Sequence, residues 1–164
     1  MAHVDGEAQV ECFAVEDVLR EAIGNLQEQL DEAAAQIVID PSLPKFLGPR
    51  LVVRQVFQNL ISNAVKYRHR DRVPEIHIGS ERRDHAWVFS VADNGQGIAP
   101  EYHDRIFEWF SRVPNTAATG SGVGLASSDR MLQRVGGRIW VESRTGQGST
   151  FYFSVPSSNQ AADC

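Results

Sequence analysis

Four short segments of the sequence combine residue types that could hold a phosphorylated ligand. In the first, Asn59, Asn63 and Lys66 are spaced by four and three residues, which places two amides and an ammonium group on one side of a helix. Asparagine is a poor helix former, and a merely solvated face would more commonly carry Glu, Lys or Gln. An amide oxygen beside an ammonium group suits a magnesium ion bound to phosphates, because Mg²⁺ takes oxygen ligands. A solvated face remains an open interpretation of this segment.

The second segment, from Asp93 to Ile98, reads Asp-Asn-Gly-Gln-Gly-Ile and directly follows an apolar strand. An Asp followed by two glycines could form only a tight turn. It could also place a carboxylate at the floor of a pocket, where the carboxylate would accept a hydrogen bond from an exocyclic amine and Gly97 would let a planar base approach the backbone. Adenine offers that amine, whereas guanine presents an acceptor at the same place and would be repelled. The functional interpretation is an adenine pocket.

The other two segments are rich in glycine. Gly120 to Leu125 opens a helix, and the free N–H groups at a helix N-terminus suit a phosphate group. The segment matches neither the G-x-G-x-x-G pattern nor the P-loop, and no Gly-Lys-Ser/Thr occurs in the chain, so the two common nucleotide-binding folds are disfavoured. Gly146 to Thr150 lies between the last two strands and, taken alone, is an ordinary hairpin turn.

The elements that must position these segments follow from the apolar periodicity. It predicts long helices over 17–35, 50–67 and 124–135, a short helix over 100–107, and strands over 11–15, 36–40, 75–82, 86–92, 138–143 and 149–155. Strands and helices do not alternate strictly, which favours an α+β two-layer sandwich over a doubly wound sheet. We expect a mixed, mostly antiparallel sheet covered on one face by about three helices. The domain should span 10–156, with a tag or linker at 1–9 and a polar tail at 157–164.

Residues 111–122 form a connection rich in Ser, Thr, Asn, Ala and Gly. It is long for a compact domain, and connections of that kind are commonly lids. We therefore expect it to be poorly ordered without nucleotide and better protected from hydrogen exchange with nucleotide bound.

The composition bounds the class of protein. The chain has 164 residues, 42% of them hydrophobic, and a formal net charge of −5, which fits one globular domain and argues against binding along a nucleic-acid backbone. It has no apolar run of the roughly 20 residues that cross a bilayer and no secretory signal, so we expect no membrane contact and a cytoplasmic location. Cys12 and Cys164 show no metal-binding spacing, and we expect two free thiols in a reducing compartment.

Taken together and in this order, the four segments resemble the N box and the three glycine boxes of the ATP-binding catalytic domain of sensor histidine kinases. That domain belongs to the gyrase–chaperone–kinase–mismatch-repair superfamily with the Bergerat fold. Phe107-Glu108-Trp109-Phe110 resembles the phenylalanine box between the first two glycine boxes. The resemblance covers residues 11–155. The stretches QNLISNAVKYR and GGRIWVESRTGQGSTFYFSVP look most like kinases attached to phytochrome-type or PAS-type sensors.

The resemblance implies a set of residues that bind ATP and magnesium. Asn63 would bind magnesium, and Asp93 would bind the adenine amine. The phosphates would be positioned by Lys66 and Arg112. The full nucleotide-binding set that it implies is Asn59, Asn63, Lys66, Tyr67, Asp93, Gly95, Gly97, Gly120, Gly122, Gly124, Leu125 and Thr150, with Thr150 acting through water and the glycines of the second box serving as phosphate cradle and lid hinge.

Position 59 separates the subfamilies. The hydrolytic members carry a glutamate there that activates water, whereas Asn59 is a poor base, so the resemblance implies phosphoryl transfer rather than hydrolysis. The family's acceptor histidine lies on a dimeric helical hairpin and is followed by Glu or Asp. Here only His103-Asp104 has that pairing, and we do not expect it to be the acceptor. The implied partners are a hairpin domain of a homodimeric parent and the receiver domain of a response regulator, with this chain alone a monomer.

One departure from the family pattern keeps alternatives open. Ser127-Ser128-Asp129 stands where the family usually has an aliphatic, a small and a basic residue, so Asp129 could weaken ATP affinity or change docking. A nucleotide-binding regulatory module with little kinase activity is one alternative. An anti-sigma-factor serine kinase, which shares the boxes, is the other.

Overall fold

The computed structural model describes residues 9–109, 123–157 and 164. Within these ranges the helices are α1 (Val15–Asn25), α2 (Gln27–Glu32), α3 (Arg50–Lys66) and α4 (Gly124–Arg134), with short 3-10 turns at Pro100–Tyr102 and Arg105–Phe107. The strands are β1 (Glu11–Ala14), β2 (Gln36–Ile39), β3 (Lys45–Gly48), β4 (Glu75–Arg83), β5 (Ala86–Asp93), β6 (Arg138–Arg144) and β7 (Gly148–Pro156).

Five strands form one mixed sheet in the order β2-β4-β5-β7-β6. The β2–β4 pair is parallel and the other pairs are antiparallel, as the sequence predicted. A separate two-stranded sheet joins β1 to β3. The register places Asp93, the last residue of β5, directly opposite Ser149 on β7. This pairing brings the two glycine segments at 93–98 and 146–150 to one end of the sheet; these are the first and third glycine segments.

Helix α3 covers the centre of the sheet with an apolar face. Its Phe57 ring packs edge-on against Phe89 and Phe153, at centroid distances of 5.5 and 4.9 Å. Leu60 and Ile61 are also buried, and each such side chain contributes about 1.5–3 kcal/mol by leaving water. Because this face is fixed in the core, Asn59 lies outside the buried face of the helix.

Three local predictions differ from the structure. The helix expected over 17–35 is divided into α1 and α2 at Leu26, directly after Gly24 and Asn25, which are poor helix formers. The short helix expected over 100–107 consists of two 3-10 turns. Strand β3 was not predicted; its residues lie between Pro44 and Pro49, which are typical of a connection.

The expectation of two free thiols is wrong. Cys12, on β1, forms a disulfide with Cys164, with the two Cα atoms 5.7 Å apart, a separation typical of disulfides. The two residues lie 152 positions apart, so no short Cys spacing could indicate the pairing.

None of the helices in the described ranges has the length and apolar character needed to cross a bilayer.

We expect the disulfide to stabilise the domain. Cys12→Ser should lower the free energy of unfolding by about 2–4 kcal/mol, because the cross-link restricts the unfolded chain. Denaturant unfolding of the oxidised protein, the same protein in reductant and the Cys12→Ser variant measures this. The reduced protein and the variant should agree; an oxidised protein no more stable than either would contradict the prediction.

Candidate functional site

The C-terminal end of α3 contacts the loop that follows β5. The backbone carbonyl of Tyr67 accepts a hydrogen bond from the Gln96 N–H at 3.0 Å. A Cβ atom added to Gly95 would lie 2.6 Å from the same Tyr67 oxygen, so only glycine fits there. The first of the four segments and the second are therefore neighbours, as a shared ligand site requires.

Asp93 ends β5 with its carboxylate held on one side only. The Oδ1 atom accepts hydrogen bonds from the backbone N–H of Gly95 at 2.9 Å and of Ser149 at 3.3 Å. The other oxygen, Oδ2, accepts none from any residue in the described ranges. A cavity of about 530 Å³ borders this carboxylate, and its lining includes His103, Glu142 and Thr150. One oxygen is thus fixed by the protein, and the other is left to meet a donor from a ligand.

Burial changes the acidity of this carboxyl group. It raises the pKa of Asp93 from an ordinary 3.8 to about 6, and the bonds from Gly95 and Ser149 oppose that rise. At neutral pH the group is still ionised, so it can accept a hydrogen bond. A rise of this size corresponds to about 3 kcal/mol of destabilisation of the folded state above pH 6. A costly buried carboxylate is commonly found at a functional site.

The loops of the first and third glycine segments touch through their backbones. Gly97 has a φ of +73°, and a Cβ atom there would lie 2.0 Å from the Arg144 carbonyl oxygen. A Cβ atom on Gly148, whose φ is +103°, would lie 2.0 Å from the carbonyl oxygen of Asp93. These glycines are thus required by the packing of the protein itself, before any base approaches.

Two serines that sequence reasoning missed hold these loops. The Ser143 hydroxyl accepts a hydrogen bond from the Ile98 N–H at 2.7 Å, donates to the Gly148 carbonyl at 2.9 Å, and lies 2.7 Å from the Ser149 hydroxyl. Ser149 is buried and lies opposite Asp93. Thr150, the residue predicted to assist Asp93, lies one position further on and opposite Ala92.

Because side chains alternate across a strand, Thr150 projects to the other face of the sheet from Ser149. Thr150 lines the same cavity, but the hydrogen bond to the Asp93 carboxylate comes from Ser149. The Gly-x-Gly spacing was visible in the sequence. Which of Ser149 and Thr150 lies opposite Asp93 could be decided only from the strand register.

Asn59 ties α3 to the start of α4. Its Nδ2 donates to the Ser128 hydroxyl at 2.9 Å and to the Gly124 carbonyl at 3.1 Å, and its Oδ1 accepts from Gln55 at 3.2 Å. The Ser128 hydroxyl is fully buried and donates to the same Gly124 carbonyl at 2.9 Å. Within the Ser-Ser-Asp departure, Ser128 therefore provides a polar link between α3 and the start of α4. The sequence alone did not indicate this link.

Asp129 lies on a different side of α4. Its carboxylate accepts a hydrogen bond from Gln133 at 3.1 Å, and it lines a cavity of about 500 Å³ with Phe107 and Trp109. Asp93 does not line this cavity. The position of Asp129 thus gives no direct contact with the Asp93 carboxylate.

The other predicted residues of the first segment follow Asn59 along α3. Asn63 lies one helical turn after Asn59, and its amide makes no hydrogen bond within the described part of the chain. Lys66 is exposed and is the last residue of the same helix, and Tyr67 follows as its C-cap. In the described ranges no group of three His, Cys, Asp or Glu side chains could hold a metal. An amide oxygen such as that of Asn63, together with phosphate oxygens, is the kind of ligand that Mg²⁺ takes.

Several predicted residues lie outside the described ranges. These are Arg112, Gly120, Gly122, Phe110 and the expected lid, residues 111–122. Leu125 lies in the first turn of α4 beside Gly124 and packs partly against the core. Phe107 packs edge-on against Phe151, with the ring centroids 6.3 Å apart.

Comparison with known proteins gives a consistent result. Residues 48–159 match the model of the family described as histidine kinase-, DNA gyrase B- and HSP90-like ATPases. The chain is 46% identical over 143 residues, 87% of its length, to 18% of cyanobacterial phytochrome A from Nostoc sp.. It is 41% identical over 160 residues, 96% of its length, to 21% of the phytochrome-like protein Cph1 from Synechocystis sp.. The chain thus spans about a fifth of the length of these curated relatives.

A solved structure supports the same grouping. Full-length ShkA in complex with AMPPNP superimposes with a TM-score of 0.82 and 30% sequence identity, covering 96% of this chain and 33% of that one. The expectations of the α+β fold and of the histidine kinase family are confirmed.

The buried charge of Asp93 generates a prediction about stability. Because its folded-state pKa lies above the ordinary value of 3.8, its cost is present in full above pH 6 and disappears as the pH falls toward 3.8. Asp93→Asn should raise the free energy of unfolding by about 1–3 kcal/mol at pH 8, since the amide Oδ1 can accept both N–H bonds without carrying charge.

Denaturant unfolding of both proteins at pH 8, 6 and 4 measures the difference. The gain from Asp93→Asn should shrink at each step toward pH 4. An exposed substitution, Asp84→Asn in the β4–β5 turn, serves as the control and should show no such trend. A variant less stable than the parent at pH 8 would contradict the buried-charge argument.

Proposed function

Since the chain belongs to the family of histidine kinase-, DNA gyrase B- and HSP90-like ATPases, we propose that it supplies the donor half of a two-component phosphorelay. The chain is the ATP-binding catalytic domain of a sensor histidine kinase. In this proposal it delivers the γ-phosphoryl group of ATP to a histidine on a dimerisation hairpin that lies outside this chain.

The single observation that carries the proposal is the geometry of Asp93. Its Oδ1 is held by two backbone N–H groups, and its Oδ2 is left without a donor among the described residues. An ionised acceptor in this position suits the exocyclic amine of adenine and would repel the guanine carbonyl. Ser149, rather than Thr150, would support the carboxylate from the third glycine segment.

The phosphate side of the site would be built on α3 and α4. Asn63 would offer its amide oxygen to Mg²⁺, which when bound neutralises phosphate charge. Lys66 would place an ammonium group beside the phosphates. Gly124 would present N–H groups at the start of α4, which the Asn59–Ser128 link holds against α3. The chain's own contribution to catalysis is then positioning and charge neutralisation.

Asn59 favours transfer over hydrolysis. A hydrolytic enzyme needs a base at the phosphate end, and an amide is not one. Both ends of this amide are already engaged, with Gln55 on one side and with Gly124 and Ser128 on the other. Water is therefore left without a base at this position, which preserves the phosphoryl group for another acceptor.

The acceptor histidine would come from the parent protein. His103 is half-buried, and its Nε2 lies 2.9 Å from the Ile98 carbonyl oxygen, which leaves it poorly placed to receive a phosphoryl group. We propose a homodimeric parent with a phytochrome-like or related sensor, a hairpin domain, and a response-regulator receiver domain as the next partner. We place this domain in the cytoplasm, where ATP is available.

Nucleotide selectivity tests the role of Asp93. The domain should bind ATP and ADP in the presence of magnesium and bind GTP much more weakly. Asp93→Asn should weaken ATP binding by about 10- to 100-fold, because it replaces a charged acceptor with an amide. Isothermal titration at pH 7.5 measures both. Asp84→Asn should bind like the parent. Equal affinity for ATP and GTP would remove the base-recognition role.

Phosphotransfer tests the wider proposal. Radiolabelled ATP should not label this chain alone but should label the separately supplied hairpin domain of its parent, slowly and at high concentration, because covalent linkage is missing. Asn63→Ala should abolish the labelling, and Asn63→Asp, which keeps an oxygen ligand, should retain part of it. Acid-labile label on this chain alone would refute the division into donor and acceptor. No labelling of the hairpin, with ATP binding intact, would favour the regulatory module.

A further inference from the structure

The connection between α3 and β4 joins the first and third glycine segments through a single guanidinium group. Arg72 Nη2 donates to the Gly95 carbonyl at 3.0 Å and to the Gly146 carbonyl at 2.8 Å. Hydrogen bonds from a charged donor are stronger than those between neutral groups. The two loops, about fifty residues apart in sequence, are thus held at one point by a side chain from a third element.

A backbone bond tightens the same junction. The Gly146 N–H donates to the Gln96 carbonyl at 2.6 Å, and the Gln96 side chain donates to the Arg68 carbonyl at 3.2 Å. The loop after β5 therefore lies between the α3–β4 connection and the β6–β7 turn, with hydrogen bonds on both sides.

Asn94 provides a second bridge beside Arg72. Its Oδ1 accepts a hydrogen bond from the Glu75 N–H at 2.9 Å, and its Nδ2 donates to the Val73 carbonyl at 2.9 Å. Each of these bonds joins the loop after β5 to the start of β4. Asn94 thus fixes the beginning of the loop, and Arg72 fixes the residue that follows it.

The residue that Arg72 holds is the one that orients the Asp93 carboxylate. The Gly95 N–H donates to Asp93 Oδ1, while the Gly95 carbonyl accepts from Arg72. Gly95 also packs closely against Tyr67, since a Cβ atom on Gly95 would meet the Tyr67 carbonyl oxygen. A shift of Gly95 would therefore release one of the two donors that hold Oδ1 of Asp93.

Arg72 forms no ion pair with any residue that the structure describes. Its two acceptors are neutral carbonyls, and its Nε is buried without a hydrogen-bond partner in the described part of the chain. Burying an unsatisfied charged donor disfavours folding. The contribution of this guanidinium is the geometry of the two loops: both carbonyls accept from the single Nη2 nitrogen, which the planar guanidinium holds between them.

We propose that Arg72 is a positioning residue for base recognition: it touches no nucleotide, and by holding Gly95 and Gly146 together it fixes the Asp93 carboxylate in the orientation that distinguishes adenine from guanine. The inference rests on the proposed adenine-binding role of Asp93. It extends that role to a residue in none of the four segments.

A consequence separates this role from general structural support. The bond from Gly95 lowers the pKa of Asp93 against the effect of burial. Losing that bond should raise the pKa of Asp93. As the pH is lowered, the variant should therefore lose the ionised carboxylate, and with it ATP affinity, at a higher pH than the parent protein does. The phosphate groups of ATP also titrate, but they contribute equally to every variant.

The experiment compares Arg72→Met and Arg72→Lys with a matched control, Arg70→Met, which removes the same charge from an exposed position in the same connection. Isothermal titration with ATP and GTP between pH 5 and pH 8 gives the affinity, the ATP preference and the midpoint of the pH dependence. Circular dichroism confirms that each variant is folded, and Arg72→Lys, which keeps the charge and most of the side chain, keeps the test available if Arg72→Met does not fold.

Both Arg72 variants should weaken ATP binding by about tenfold or more, reduce the preference for ATP over GTP, and move the pH midpoint upward, whereas Arg70→Met should behave like the parent. Lysine should fail because its Nζ lies one bond nearer the backbone than Arg72 Nη2 and is not held in place by a planar group, so it does not reach both carbonyls. Parent-like behaviour of Arg72→Lys would reduce the role to electrostatics and overturn the proposal. An equal loss for ATP and GTP with an unchanged midpoint would also overturn it.

The failure of the proposed function would look different. If Asp93→Asn bound ATP as well as the parent, adenine recognition by Asp93 would be wrong whatever the Arg72 variants did. If Asp93→Asn lost ATP and the Arg72 variants kept the parent midpoint and preference, only the positioning role would be wrong.

Discussion

The close contact between two glycine loops is the constraint on which the rest of the site depends. Gly97 lies against the Arg144 carbonyl, and Gly148 lies against the Asp93 carbonyl, each too close for a Cβ atom. Because the contact is made by backbones, no side chain can replace it, and the loops can adopt few other arrangements. This contact sets the end of β5 beside the start of β7 and so determines which groups face the Asp93 carboxylate.

The same packing explains why the site is costly to the fold. Bringing the loops together removes water from Asp93 and raises its pKa to about 6, while only one carboxylate oxygen receives donors in return. A structure selected for stability alone would place an amide there, since the amide could accept both bonds without charge. The retained charge is understandable if the second oxygen is needed by a ligand.

How far the sequence predicted these features depended on the range of the contacts involved. Helix α3 was predicted because seventeen residues show a helical period, and its polar face followed from the same pattern. The roles of three other residues, Ser149, Ser128 and Arg72, could not be predicted in the same way. Each residue bonds to a partner on a distant element, and nothing in the neighbouring sequence indicates that partner. Strand β3 was missed for a different reason, since it lies between Pro44 and Pro49, which mark the segment as a connection.

Helix α3 connects the two halves of the site as a rigid spacer. Near its middle, Asn59 is fixed to Gly124 on α4, and at its end the Tyr67 carbonyl is fixed to Gln96 in the loop after Asp93. Eight residues of helix separate these two anchors by about 12 Å. An extended nucleoside triphosphate spans a comparable distance from its base to its last phosphate. Asn63 lies between the anchors, and its amide makes no hydrogen bond to the described residues. If the helix sets the distance between base recognition and phosphate binding, a group that faces the ligand is needed at this position.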